Sequence, residues 1–240
     1  MNVTAFKLEY EVCKNEECKM PVIIVAAGSS SRMNGMDKQL MKVAGIPVIA
    51  RTLLAFERSG CISEIILVTR EESVLDMQKI AEEYNITKLS DITVGGATRQ
   101  ESVMRGLERL DKGVDKVLVS DGARMLVSQK LISRCAAALN THDGCLCAVK
   151  VNDTVKEVVC GRVSKTVDRT PLYLAQTPQG ITVSLYKKAA GEHDISTFTD
   201  DASVLEAGGC DVAVVEGDIR NIKITTPDDI KLAELYLKED

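Results

Sequence analysis

The segment Ala26-Ala27-Gly28-Ser29-Ser30-Ser31-Arg32-Met33, followed by Asp37-Lys38-Gln39, sets a run of small residues directly after an apolar stretch, with two cations close behind. Small residues let backbone N–H groups approach a phosphate chain, and Arg32 and Lys38 can neutralise it. A surface loop with two solvated cations has the same composition, so this segment alone leaves both readings open. It matches neither G-x-x-x-x-G-K-[ST] nor G-x-G-x-x-G, which disfavours a Walker-type NTPase and a dinucleotide fold. Further along, Gly95-Gly96-Ala97-Thr98-Arg99-Gln100-Glu101-Ser102 joins a predicted strand to a predicted helix, a second place where backbone and hydroxyl groups could meet a nucleotide. Asp121 directly follows an apolar run, where a carboxylate either holds a divalent cation bridging phosphates or caps a turn. Arg124 lies three residues beyond it. Lys223 interrupts the apolar pattern of Asn221-Ile222-Lys223-Ile224-Thr225, either as a phosphate ligand or as an edge-strand charge that discourages aggregation.

These residues need a scaffold that brings loops together. Apolar runs predict strands at 22–26, 65–68, 92–94, 117–119, 145–149, 212–215 and 222–224. Helical spacing predicts helices at 47–58, 74–84, 98–110, from about 128, at 184–190 and at 201–206. A last helix opens on Thr226-Pro227-Asp228-Asp229, with a cap, a first-turn proline and two acids at the positive dipole end. This alternation implies an α/β fold with a mostly parallel sheet and helices on both faces, whose site lies at the carboxyl ends of the strands. Residues 151–179 break the rhythm: polar β-branched stretches flank Cys160-Gly161-Arg162 and read as a projecting hairpin arm.

Composition narrows the partners. In 240 residues, 30 basic side chains stand against 35 acidic ones, a net charge of -5, which disfavours general binding to nucleic acid or a membrane surface. Aromatic residues make up 3% of the chain and Trp is absent, so base stacking is disfavoured too. No apolar run reaches membrane-spanning length. The N-terminal MNVTAFKLEYEVCKNEECKM alternates apolar and charged residues, which predicts no secretory signal, and the eight cysteines then read as reduced thiols of a cytoplasmic protein. Cys145 and Cys147 alternate with Leu146 and Ala148 as buried strand residues would, in preference to a zinc site.

The ordered set AAGSSSRM with DKQ, GGATRQESV, SDGARM, VNDTVK, TVDRTPLYLAQTPQ, TFTDDAS and NIKITTPDD resembles the 2-C-methyl-D-erythritol 4-phosphate cytidylyltransferases, from about Met20 to Leu237. The resemblance implies a Rossmann-like nucleotidyltransferase fold, with residues 20–240 as one domain and 1–19 as an extension outside the family pattern. It implies that the backbone of Ala26, Ala27 and Gly28, with Gly96 and Ser102, holds the cytidine nucleotide, and that Asp121 holds Mg²⁺. Arg32, Lys38 and Lys223 resemble the catalytic cations around the α-phosphate. Arg124, Thr154, Arg169, Thr177 and Thr199 match positions associated with the sugar-alcohol phosphate substrate or with site assembly. The resemblance further implies a homodimer whose sites are completed by the partner's arm.

This sequence differs from the family pattern at several places. Asp37 stands where a proline is common, Ser30 where a second glycine is common, and Gly122 follows Asp121 where alanine is usual. Arg220 precedes Asn221-Ile222-Lys223 where an acid is frequent, with Asp218 two positions earlier. Two other readings remain open at this stage: a cytidylyltransferase for a pentitol phosphate such as ribitol 5-phosphate, and a CTP-binding regulatory protein without catalysis.

Overall fold

The computed structural model describes residues 19–28 and 37–239. Its centre is a seven-stranded sheet in the order β11-β7-β10-β6-β1-β4-β5. In chain order these strands are β1 (Met20–Val25), β4 (Ile62–Thr69), β5 (Leu89–Val94), β6 (Lys116–Asp121), β7 (Gly144–Lys150), β10 (Tyr173–Thr182) and β11 (Val212–Glu216). A small hairpin of β2 (Lys42–Val43) and β3 (Ile46–Pro47) lies outside this sheet, and β8 (Val155–Val159) pairs with β9 (Arg162–Val167) as a second separate ribbon.

β1 is parallel to both β4 and β6, β4 is parallel to β5, and β7 is parallel to β11. Only strands covered on both faces tolerate a sequence such as MPVIIV, and alternate residues of β1 enter opposite cores. Val22 and Ile24 pack with α1 (Val48–Glu57), α2 (Val74–Glu83) and α4 (Gln129–Ala138). Ile23 faces the other way, into a cluster with Val103 and Leu107 of α3 (Arg99–Leu107), Tyr186 of α5 (Val183–Glu192) and Val204 of α6 (Asp201–Ala207). The α/β architecture with helices on both faces is therefore as expected. The last helix, α7 (Pro227–Lys238), covers a third cluster containing Val43, Met125 and Ile224.

Helix starts follow their caps. Thr98 Oγ1 accepts from the Glu101 N–H, Ser128 Oγ from Leu131 and Asp200 Oδ1 from Ser203. At α7, the Asp229 carboxylate accepts from the N–H groups of Thr225 and Thr226.

Three expectations need correction. The arm predicted over 151–179 ends earlier, because β10 runs antiparallel between β6 and β7 inside the main sheet. Gln176, Thr177 and Gln179 are polar yet buried, with side chains hydrogen-bonded internally, so polarity there did not mean exposure. The projecting part is β8 and β9, joined at Cys160 and Gly161, both at positive φ. The strand predicted at 222–224 joins no sheet: the segment runs beside the loop after β6 through one backbone bond, Ile224 N–H to Ala123 C=O. Finally, the β2–β3 hairpin, turning at Ala44 and Gly45 with positive φ, stands where the sequence reading placed no strand.

Cys145 and Cys147 are buried in β7, their thiols donating to the carbonyls of Cys135 and Pro178, as strand residues should. Cys13 and Cys18 lie outside the described residues. Among the described residues no helix is long and apolar enough to cross a membrane.

Candidate nucleotide and phosphate site

The loops that follow β1, β5 and β6 meet at the carboxyl ends of the parallel strands. Ala26 is buried and its N–H donates to Val68 C=O, Ala27 is half-buried, and Gly28 is exposed, so the backbone rises out of the sheet along the small residues. Arg32, with Ser29 to Met33, lies outside the described residues. The described chain resumes at Asp37, whose carboxylate accepts from the Gln39 N–H and is ion-paired with Arg70 just past the end of β4. Gln39 is buried and its C=O accepts from Ile49. Lys38, half-buried, thus lies between two anchored neighbours, and Asp37 has a structural role of its own.

The second loop is pressed against the first. A Cβ on Gly95 would stand 2.5 Å from Ala27 Cβ and 2.7 Å from Ser102 Oγ, so this close approach of two backbones requires glycine. Ser102 Oγ accepts from the Gly96 N–H at 3.1 Å and donates to Thr98 C=O at 2.9 Å. Its hydroxyl is committed to shaping the loop that carries Gly96.

Asp121 ends β6 and is the focus of the site. Its N–H donates to the Oγ1 of buried Thr177 at 2.9 Å. Its carboxylate meets Arg99 Nε at 3.1 Å on Oδ1, and Lys223 Nζ at 2.8 Å and Arg124 Nε at 3.8 Å on Oδ2. Burial pushes the Asp121 carboxyl up, but the Arg99 and Lys223 cations outweigh it and hold the group well below the usual carboxylate range. Arg124 is itself buried, which lowers its pKa, and its Nη1 donates to Asn221 C=O at 2.6 Å. Asn221 in turn donates to Thr177 C=O, so the segment carrying Lys223 is tied to β10 and to the Asp121 loop.

Arg220, which raised the question of a reversed charge beside the site, pairs with Glu239 at 2.7 Å and stacks over Tyr236, 5.5 Å from the ring centre. These contacts fasten it to the end of α7. Gly122 packs where an added Cβ would lie 3.0 Å from Ala26 and from Ile49, so glycine suits the close approach of this loop to β1 and α1.

Sequence reasoning gave no role to Arg99, Asp201 or Gln179. Arg99 bridges to Asp201 with Nη2 to Oδ2 at 2.7 Å, and buried Gln179 accepts from the N–H groups of Asp201 and Ala202 while donating to Asp200. A signal for Arg99 existed: it is the first residue of α3, where the helix dipole disfavours a cation. Thr199 is exposed one residue before the α6 cap at Asp200. Thr154 and Arg169 are exposed at the base of the arm, where Arg169 donates to Asn152 C=O. Among the described residues, Asp121 meets the side chains of Arg99, Arg124, Lys223 and Thr177, and the arm residues stand apart from that cluster.

The arrangement suits a polyphosphate: three cations face two carboxylates beneath small-residue loops. Among the described residues no three His, Cys, Asp or Glu side chains converge as a ready-made metal cage. A single charged carboxylate fits an octahedral ion such as Mg²⁺ that takes its other ligands from substrate phosphates and water.

Residues 20–239 match the family model for 2-C-methyl-D-erythritol 4-phosphate cytidylyltransferase. A bifunctional enzyme, IspD/IspF, of Desulfotalea psychrophila is 43% identical over 219 residues; the alignment covers 91% of this chain and 56% of that protein, so the chain spans little more than half of it. A 2-C-methyl-D-erythritol 4-phosphate cytidylyltransferase of Bacillus cereus is 42% identical, with coverage of 90% and 97%. The crystal structure of a 4-diphosphocytidyl-2C-methyl-D-erythritol synthase from Anaerococcus prevotii superposes with a TM-score of 0.80 at 34% identity, covering 92% of this chain and 97% of that one.

Proposed function

The chain belongs to the 2-C-methyl-D-erythritol 4-phosphate cytidylyltransferase family, and we propose that its site transfers a cytidylyl group from CTP to 2-C-methyl-D-erythritol 4-phosphate in isoprenoid precursor synthesis. An oxygen of the acceptor's phosphate attacks the α-phosphorus of CTP, the bond from that phosphorus to the bridging oxygen breaks, and pyrophosphate leaves. A phosphate monoester is already ionised near neutral pH, so the step needs no strong general base. What it needs is in-line positioning and charge stabilisation at the α-phosphate. The observation that carries this reading is the Arg99, Arg124 and Lys223 cluster around Asp121, at the strand ends beside the loop of Ala26 to Gly28.

In this reading the backbone of residues 26–28 and of Gly96 seats the nucleotide, and Lys38 and Lys223 face the α-phosphate, joined by Arg32. Arg124 and Thr177 assemble the site around Asp121, and Thr199 faces the acceptor. Asp121 would hold Mg²⁺, which when bound neutralises triphosphate charge and polarises the phosphoryl oxygens. A cytoplasmic location follows from the cysteine usage.

Thr154 and Arg169 reach a site from the arm of a second copy. The ribbon of β8 and β9 leaves Val158, Val159 and Val163 at 56%, 57% and 63% exposure, and Tyr173 and Leu174 at the start of β10 are exposed as well. A two-stranded ribbon is marginal alone, and covering each valine is worth about 1.5–3 kcal/mol. A symmetric homodimer gives both arms that cover.

The site is tested by following pyrophosphate release while Mg²⁺ is titrated. The parent should need CTP, acceptor and metal together, whereas Asp121→Asn, still folded, should need roughly tenfold more Mg²⁺ or lose the response altogether. An unchanged titration curve would make Asp121 a turn residue only. Tight CTP binding without pyrophosphate release in the parent would favour a regulatory CTP-binding protein.

A further inference from the structure

Arg99 occupies an unfavourable position for a cation, at the positive end of the α3 dipole, yet its side chain turns inward and is only 20% exposed. One side of its guanidinium is fixed: Nη2 lies 2.7 Å from Asp201 Oδ2, and Asp201 is fully buried and also accepts from the Tyr186 hydroxyl at 3.3 Å. The other side presents Nε to Asp121 Oδ1 at 3.1 Å. Nη1 is buried without a hydrogen-bond partner among the described residues, so the fork is held in place by its two carboxylates.

Lys223 and Arg99 divide Asp121 between them. Lys223 Nζ stands 2.8 Å from Oδ2, and its side chain is 37% exposed, so it is the member of the cluster free to swing outward. Turning to a phosphate means giving up the Oδ2 contact, and a buried carboxylate stripped of its partner is costly. Arg124 is a poor replacement, with Nε at 3.8 Å and Nη1 committed to Asn221. Among the side chains around it, Arg99 alone keeps a close ionic contact with Asp121 when Lys223 departs, and it does so on Oδ1, which leaves Oδ2 to the Mg²⁺ that Asp121 would hold.

We propose that Arg99 is a positioning residue for the transfer: by keeping Asp121 compensated through Oδ1, and being braced by Asp201, it lets Lys223 leave Oδ2 for the reacting phosphate. The inference rests on the reading of Lys223 as a phosphate ligand. Lysine cannot substitute, because a single ammonium group does not reproduce the planar fork that spans both carboxylates.

The test is a double-mutant cycle. Arg99→Gln is combined with Asp201→Asn so that buried Asp201 is not stranded, and the pair is introduced into the parent and into Lys223→Ala, where Arg99→Lys serves as the variant that leaves Asp121 a cationic partner. In the parent, kcat should fall about 30- to 100-fold while the CTP dissociation constant, measured calorimetrically, stays within about fivefold. In Lys223→Ala the same pair should cost less than about threefold more, since no lysine remains to be released. Equal losses in both backgrounds, or a loss confined to CTP affinity, would overturn the role of Arg99. Arg99→Lys, which keeps the buried positive charge, is carried through the same cycle with the same criteria, so that the result does not depend on the paired variant folding. A parental rate in Lys223→Ala alone would overturn the reading of Lys223, an outcome separate from an additive cycle.

Discussion

Lys223→Ala and Lys38→Ala are each expected to lower turnover at least ~100-fold, the loss typical of one donor removed from a developing phosphoryl charge. That corresponds to about 3 kcal/mol of transition-state stabilisation. Neither side chain is core. Lys223 is 37% exposed, and Asp121 retains Arg99 at 3.1 Å when the lysine is gone, so the buried carboxylate stays compensated. Lys38 is half-buried between Asp37, paired with Arg70, and buried Gln39, and those two anchors remain in the variant. Melting temperatures should therefore move little while pyrophosphate release collapses. Near-normal release by either variant would remove that lysine from the reacting phosphate.

Mixing two inactive proteins, Lys38→Ala and Arg169→Ala, is expected to regenerate activity from almost none. Lys38 sits at the strand ends of its own subunit, whereas Arg169 is on the arm, exposed and linked to Asn152. If each site takes its arm from the partner, a mixed dimer has one site carrying both defects and one carrying neither. With complete exchange at equal concentrations, half the dimers are mixed, so about a quarter of all sites recover. Arginine suits the assigned task because its planar fork grips a phosphate through two parallel bonds. No recovery despite verified subunit exchange would place Arg169 in the site of its own subunit.

Where the chemistry of an element is local, the sequence discloses it. The run of β1 shows its double burial in its own composition, the caps at Thr98, Ser128 and Asp200 mark helix starts, and Cys160-Gly161 marks the turn of the arm. What stayed hidden depends on partners distant in sequence. Gln176, Thr177 and Gln179 look like arm residues until Asp121, Asp200 and Asp218 are seen to satisfy them. Lys223 looks like a strand residue because it alternates with Ile222 and Ile224, yet its neighbours pack under α7 and against Ala123 without joining a sheet. Arg99 lies within a recognisable motif, but its partners are 22 and 102 positions away, and only the fold brings them together.

The most direct test is ³¹P NMR of the purified chain with CTP and Mg²⁺, run in parallel with 2-C-methyl-D-erythritol 4-phosphate and with ribitol 5-phosphate. With the first acceptor, the triphosphate signals should give way to free pyrophosphate and the two coupled phosphorus signals of a CDP-alcohol, at least ~100-fold faster than with the second, a margin within reach of a site built around one acceptor's hydroxyls. Faster conversion of ribitol 5-phosphate, or CTP left intact with both acceptors, would contradict the proposed function.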